Sequence, residues 1–243
     1  MAFNINNWLK FKQFVLPQDC QLCSVTLNAQ GGLGCAQNDL GLCSSCAADL
    51  PLHDKNCCPQ CALPSFDGAV CGDCLQSPPD FDATFALFTY SFPIDRMIQK
   101  LKYQSSLQLA KTFGQLLANR MHLTQQLCII PMPLHPQRLK ERGFNQSLEI
   151  AKVLATLTHY QLDYSSCERV KFSPPQASLP LKDRIKNMRN AFACHADLHR
   201  QHVLLLDDVM TTGASLNELA KICKKAGAAS VSCAVIARTL PHR

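Results

Sequence analysis

The hydrophobic pattern changes its rhythm near residue 80. Beyond it, strand-like and helix-like stretches alternate: Phe85–Tyr90 reads as a strand, Ile94–Tyr103 and Leu107–Met121 as helices, and Leu127–Ile130 as a short buried strand. Asn145–Leu157 returns to helical spacing, Val203–Leu206 is a buried strand, Ser215–Ala226 a helix and Ser230–Ala237 a strand. Such alternation predicts an α/β fold, a mainly parallel sheet with helices on both faces. Ligands of such sheets sit at the carboxyl ends of the strands, near the switch in strand order. Before residue 80, Trp8–Leu16 has helical spacing, and it predicts a short helix packed on its own domain in preference to a membrane or partner anchor.

Composition sharpens that division. Of the 15 cysteines, ten lie between Cys20 and Cys74. Residues 1–80 carry three lysines, no arginine and seven aspartates, a net charge of −4, leaving +10 for the rest of a chain whose total is +6. Opposite charge and different composition predict two domains, 1–80 and 81–243, with the seam at Pro78-Pro79, a pair that forces extended chain. At 47% hydrophobic and 17% charged, the chain is too apolar for disorder, while runs such as Val203–Leu206 fall far short of a membrane span. No basic, cleavable leader is visible in residues 1–8, so a cytoplasmic protein with reduced thiols is expected.

Four Cys-x-x-Cys pairs stand in order: Cys20/Cys23, Cys43/Cys46, Cys58/Cys61 and Cys71/Cys74. Random placement would yield about one such pair in the whole chain. Two thiolates three residues apart on a tight turn both reach one ion at ~2.3 Å, and two turns complete a tetrahedron. Sequential pairing makes two structural Zn²⁺ sites, although spacing alone also permits a crossed arrangement. A disulfide scaffold needs an oxidising compartment, and a redox Cys-x-x-Cys would not occur four times. Cys35 and Cys57 are left over, and Cys57 could replace Cys58 in an alternative register. Two all-thiolate sites, each with a net charge of about −2, take this part to about −8. It is therefore unsuited to gripping phosphate alone and suited to docking on the basic half or on a protein partner.

The sharpest motif runs from Val203 to Ser215. An aliphatic strand ends in Asp207 and Asp208, and the turn Thr211-Thr212-Gly213-Ala214-Ser215 opens a helix. Backbone N–H groups, three hydroxyls and a positive helix end can surround one phosphate, with Gly213 allowing close approach. The carboxylates would repel phosphate and must serve ribose hydroxyls or a cation. A sugar phosphate with free hydroxyls satisfies both demands.

This stretch resembles the phosphoribosyl pyrophosphate signature of type I phosphoribosyltransferases. By that resemblance Asp207 and Asp208 hold the ribose hydroxyls as the catalytic acids, and Thr211–Ser215 wrap the 5′-phosphate. The cysteine pairs, the Pro78–Asp82 junction, Pro131–Pro136, Arg138–Gln146 and Gln176–Phe192 follow in an order that resembles the ComF family of competence proteins, over roughly residues 17–240. The resemblance implies a double zinc ribbon joined to a phosphoribosyltransferase-like domain, a place in natural transformation and DNA use, and Mg²⁺ with phosphoribosyl pyrophosphate at the site. Phosphoribosyl transfer to an unknown acceptor is one reading. The other is a non-catalytic adaptor that binds nucleotide or single-stranded DNA and docks a competence helicase.

Arg138 and Arg142, four apart on one predicted helix face, would contact pyrophosphate or nucleic acid. Pro131–His135 falls where that resemblance places the pyrophosphate loop. Lys182, Arg184, Lys186 and Arg189 form a second basic run that would close over ligand or lie along DNA. Phe144, Phe172 and Phe192 could stack on bases, though Phe is more often core. His135 and His195 are read as structural or surface residues.

Overall fold

The computed structural model describes residues 18–27, 40–104, 106–121, 126–172 and 190–241. The Trp8–Leu16 helix, Cys35 and the Lys182–Arg189 basic run lie outside the described residues. The chain groups into two compact units, Met1–Leu50 and Pro51–Arg243.

The first unit holds the hairpin of β1 (Gln18–Asp19) and β2 (Thr26–Leu27) and a short helix α1 (Ser44–Ala48). The second begins with a similar device. Cys58 N–H donates to Leu63 at 2.7 Å, as Cys20 N–H does to Val25 at 2.8 Å. Ser24 and Ala62 close the two turns at positive φ, 60° and 56°. The second ribbon has its own short helix, α2 (Gly72–Gln76), started by Cys71 as Cys43 starts α1.

The compositional boundary at 80/81 falls inside the second unit, because the second ribbon is bonded to the sheet. Strand β3 (Ala83–Thr89) is the sheet's outer strand. His53 N–H donates to Leu87 at 3.1 Å, Thr89 N–H to Pro51 at 2.9 Å and Thr84 N–H to Pro59 at 2.9 Å. An edge strand that would otherwise offer a row of unpaired groups is thereby covered. The Pro78–Asp82 junction is pinned as well: Asp82 N–H donates to the Val231 carbonyl at 2.7 Å, and Val231 N–H to the Asp82 carboxylate at 2.8 Å.

Helices α3 (Ile94–Tyr103) and α4 (Leu107–Arg120) lead to β4 (Cys128–Pro131), then α5 (Pro136–Arg142), α6 (Gln146–Thr158) and β5 (Gln161–Leu162). An antiparallel hairpin, β6 (Cys167–Arg169) with β7 (Phe192–Cys194), precedes β8 (His202–Met210), α7 (Ala214–Lys225) and β9 (Ser230–Arg238). The five-stranded sheet has the order β3-β9-β8-β4-β5, every pair parallel. The expected α/β class is therefore observed. Alternate strand residues Cys128, Ile130, Val203, Leu205, Val231 and Cys233 form one core with Leu216, Leu219 and Cys223 of α7. Among the described residues no helix is long and apolar enough to cross a membrane.

Helices α4 and α6 cross at Gly114, where a Cβ would stand 2.6 Å from the Val153 Cβ. Gly114→Ala is expected to lower stability by about 1–3 kcal/mol through overpacking. That outweighs the ~1 kcal/mol alanine gains in helix propensity. Urea denaturation checks this, and an unchanged midpoint would refute the packing account.

Candidate ligand site and metal centres

Strand β4 turns its chain away to one side through α6 and β5, and β8 to the other through α7 and β9. The switch point lies between β4 and β8, where open parallel sheets leave a crevice for ligands. Pro131, the last residue of β4, is paired with Leu206, so Asp207 is the first residue of β8 beyond its neighbour's end. On its other side β8 stays paired as far as Met210 with Arg238. The acids are therefore inside a longer strand than the sequence suggests, open on the β4 side only. The chain after β4 carries Pro133, which has no N–H to extend the ladder.

Asp208 is buried, and its Oδ1 accepts from Lys102 Nζ at 2.9 Å. Burial works against the Lys102 ammonium, but Asp208 more than offsets it and holds the pKa above its ordinary value. Asp207 Oδ1 accepts from Ser147 Oγ at 3.2 Å and from Asp208 N–H at 2.8 Å. Enclosure first, and the charge of Asp208 second, push the Asp207 carboxyl up to about 7. Ser147 is delivered by the N-terminus of α6, where Asn145 accepts from Ser147 and Leu148 N–H groups and donates to the Met132 carbonyl at 3.0 Å. One asparagine thus ties the Pro131–Pro133 loop to the helix that carries Ser147.

Beyond the acids, Gly213 occupies the N-cap of α7 at φ 78°, a left-handed conformation that favours glycine, and no side chain caps the helix. Thr212 Oγ1 accepts from Ala214 N–H at 3.3 Å. Thr211, Thr212, Gly213, Ala214 and Ser215 thus form one turn at the carboxyl end of β8, whose helix-end N–H groups beyond Ala214 are donors of the kind that bind anions.

Arg138 and Arg142 share α5, which starts on His135 and ends at Gly143, φ 79°. The Arg138 guanidinium lies 5.6 Å from the Phe172 ring centroid and pairs with Glu141 at 2.8 Å. Arg142 lies 5.7 Å from the Tyr103 centroid and donates to Gln146 at 3.1 Å. Of the three phenylalanines, Phe192 is core, Phe144 is half-buried and Phe172 is partly exposed at 37%. His135 caps α5, and His195 pairs with Glu168 on the surface. Sequence reasoning missed Lys102, Ser147 and Arg169, the last near enough to Asp207 to feel its charge. Nothing local marks them, since each comes from a different element.

The eight cysteines fall into two groups, Cys20/Cys23/Cys43/Cys46 and Cys58/Cys61/Cys71/Cys74, with all Sγ atoms of a group within 4.8 Å of one another. The sequential pairing is realised and the crossed one is not. Sγ atoms stand 3.8 Å apart for Cys23–Cys43 and 3.6 Å for Cys61–Cys71, close to the ~3.8 Å edge of a tetrahedron with 2.3 Å zinc–sulfur bonds. Cys57 bridges to Pro64 and lies outside the second group. Burial opposes the Cys20 thiolate, but the N–H groups of Cys23, Cys43 and Leu22 outweigh it and bring its pKa to about 6. The same balance, with N–H groups of Cys61, Cys71 and Gln60, brings Cys58 to about 7. Both groups therefore fit zinc as closed structural sites.

Comparison with known proteins agrees with these two parts. Residues 11–75 match the double zinc ribbon domain family and residues 171–241 the phosphoribosyl transferase domain family. The chain is 31% identical to DNA utilization protein YhgH of Shigella flexneri over 233 residues, 93% of this chain and 99% of that one. It is 31% identical to competence protein F of Haemophilus influenzae, covering 87% of this chain and 96% of that one. Competence protein ComFC of Bacillus subtilis is 26% identical, over 83% of this chain and 85% of its own. At this identity over nearly its whole length, with both domain families in the same order, the chain belongs to the ComF family of competence and DNA-utilisation proteins.

Proposed function

We propose that this protein binds phosphoribosyl pyrophosphate, or a related ribose 5-phosphate ligand, at the β4–β8 switch point, and serves DNA utilisation through that site. The observation that carries the reading is the pairing of two adjacent carboxylates, Asp208 buried and Asp207 partly so, with a helix N-terminus that begins at Gly213, five residues on. Asp207 and Asp208 accept hydrogen bonds from the ribose hydroxyls, Asp208 exchanging its Lys102 contact for them. The 211–215 turn surrounds the 5′-phosphate with N–H groups and hydroxyls. Mg²⁺, bound with the ligand, would screen the pyrophosphate charge.

Transfer, in this reading, breaks the bond from the anomeric carbon to pyrophosphate, the electron pair leaving on the pyrophosphate oxygen. A nitrogen nucleophile then forms the new bond to that carbon. Lys102, Arg138 and Arg142 would stabilise the departing anion without reorganising, which is electrostatic catalysis needing no side-chain nucleophile. The test is calorimetric binding of phosphoribosyl pyrophosphate with Mg²⁺ to the zinc-loaded protein. Asp207→Ala/Asp208→Ala is expected to weaken binding by at least about 100-fold, as two charge-assisted contacts are lost. Equal affinity in the double variant sinks the assignment. Pyrophosphate release on adding candidate amines then separates an enzyme from a binding module.

A second reading rests on the guanidinium–aromatic pairs Arg138–Phe172 and Arg142–Tyr103, with Tyr103 73% exposed. Cation and exposed ring together are what single-stranded nucleic acid uses, the ring for a base and the arginine for its phosphate.

A further inference from the structure

Arg238, the last residue of β9, is only 3% exposed. Its hydrogen bonds end on backbone carbonyls. Nε donates to Cys61 at 2.8 Å, while Nη1 donates to Met210 at 3.0 Å, to Thr239 at 3.1 Å and to Thr211. A buried cation needs both acceptors and counter-charge. The second cysteine group, whose Cys61 takes Nε on its carbonyl, can provide the counter-charge. A four-thiolate zinc site, net about −2, supplies it permanently.

The carbonyls of Met210 and Thr211 open the sugar-phosphate turn. In a trans peptide the N–H points opposite to the carbonyl of the same unit. Drawing these two carbonyls toward Arg238 therefore turns the N–H groups of Thr211 and Thr212 the other way. The guanidinium shares this task with Thr239, whose N–H and Oγ1 reach the Met210 carbonyl at 3.1 and 3.4 Å and whose Oγ1 reaches that of Thr211 at 3.5 Å, but only the guanidinium also bonds the carbonyl of a cysteine in the second group. A cavity of about 700 Å³ adjoins this junction, lined by Cys61 and Cys74, by Thr212–Ala214 and by Arg238.

We infer that Arg238 is a positioning residue that makes the second zinc knuckle part of the sugar-phosphate site, so that zinc at Cys58/Cys61/Cys71/Cys74 and an anionic ligand at Thr211–Ser215 bind with positive coupling. This rests on the proposal that the turn holds a phosphate. Coupling is reciprocal: if zinc favours the ligand, the ligand must retain the zinc by the same factor. The coupling is inferred for the second zinc site alone, since the first belongs to the other compact unit.

The experiment follows zinc release to a chromogenic chelator from the full chain, with and without Mg²⁺-phosphoribosyl pyrophosphate, beside a calorimetric measurement of ligand binding. Cys23→Ser, which breaks the first site alone, identifies the phase of the second. The ligand is expected to slow that phase by about 5-fold or more and to leave the other phase unchanged. Asp207→Ala/Asp208→Ala controls for zinc binding by free ligand and should show no protection. Arg238→Lys keeps the charge but loses the fork that spans Cys61 and the turn. It is expected to hold two zinc ions while protection falls below about 2-fold. The wild-type comparison decides the matter even if that variant fails to fold. Ligand that binds without slowing either phase overturns the coupling. No binding by calorimetry overturns the sugar-phosphate reading and the coupling with it.

Discussion

Cys58→Ser is expected to leave one zinc per chain and to lower the unfolding free energy of the Pro51–Arg243 unit by about 3–5 kcal/mol. Cys20→Ser, which also leaves one zinc, should shift the melting of that unit by less than about 0.5 kcal/mol. The asymmetry follows from where each ribbon is bonded. The second ribbon covers the outer strand of the sheet through Pro51, His53 and Pro59 and receives Arg238 on the Cys61 carbonyl. Losing its metal uncovers the β3 edge and leaves a buried arginine without its counter-charge. The first ribbon belongs to the other compact unit, and its metal-dependent folding is expected to be read separately. Thermal unfolding followed in the near-ultraviolet, with zinc counted by a chromogenic chelator, reads both quantities. Equal melting of the two variants would show that the second ribbon is an appendage rather than part of the sheet's scaffold.

The second large effect is a gain. Asp207→Asn is expected to stabilise the protein above neutral pH by about 2 kcal/mol, with a ceiling of about 4. The folded-state pKa of Asp207 is raised from 3.8 to about 7 by enclosure and by the charge of Asp208. A carboxyl with a raised pKa holds its proton more tightly when folded. Its contribution to stability is therefore whole below about pH 4, declines as the pH climbs towards 7, and is gone above that. Asparagine resembles the protonated form at every pH. The difference between variant and wild type should grow from pH 5.5 to about 7.5 and then stay level. Urea midpoints at pH 5.5, 6.5, 7.5 and 8.5 in the presence of zinc would trace this, and a difference that is flat across the series would refute it. The same substitution should weaken phosphoribosyl pyrophosphate binding, the usual exchange of stability against function where charges are crowded for a ligand.

That crowding also explains which parts of the site the sequence exposes. Asp207, Asp208 and the 211–215 turn are contiguous, so strand, acids and helix start are legible as one motif. Lys102, Ser147 and Arg238 reach the same place from α3, α6 and β9, which only the parallel sheet brings together. The principal helices and strands of the second unit were legible because each has a full period of hydrophobic repetition. Helices such as Ile94–Tyr103 match to the residue, and Leu107–Met121 differs by one at its end. The two-residue β5 and the three-residue strands of the β6–β7 hairpin were not, being too short to establish a period. Carrying β8 on through Asp207 to Met210 required its partner β9, which pairs with it to Arg238 and overrides the poor strand propensity of two aspartates.

The sequence by itself determined the four cysteine pairs, the α/β class and the acid–hydroxyl turn, because each depends on residues close in the chain and on chemistry that few other side chains share. Tertiary structure alone decided the sequential pairing of the cysteine turns, since both pairings have the same spacing and differ only in which turns meet. It alone bonded the second ribbon to β3, since backbone pairing at a sheet edge leaves no mark on residue type. And it alone joined that ribbon to the phosphate turn, through an arginine whose acceptors are carbonyls that every residue carries.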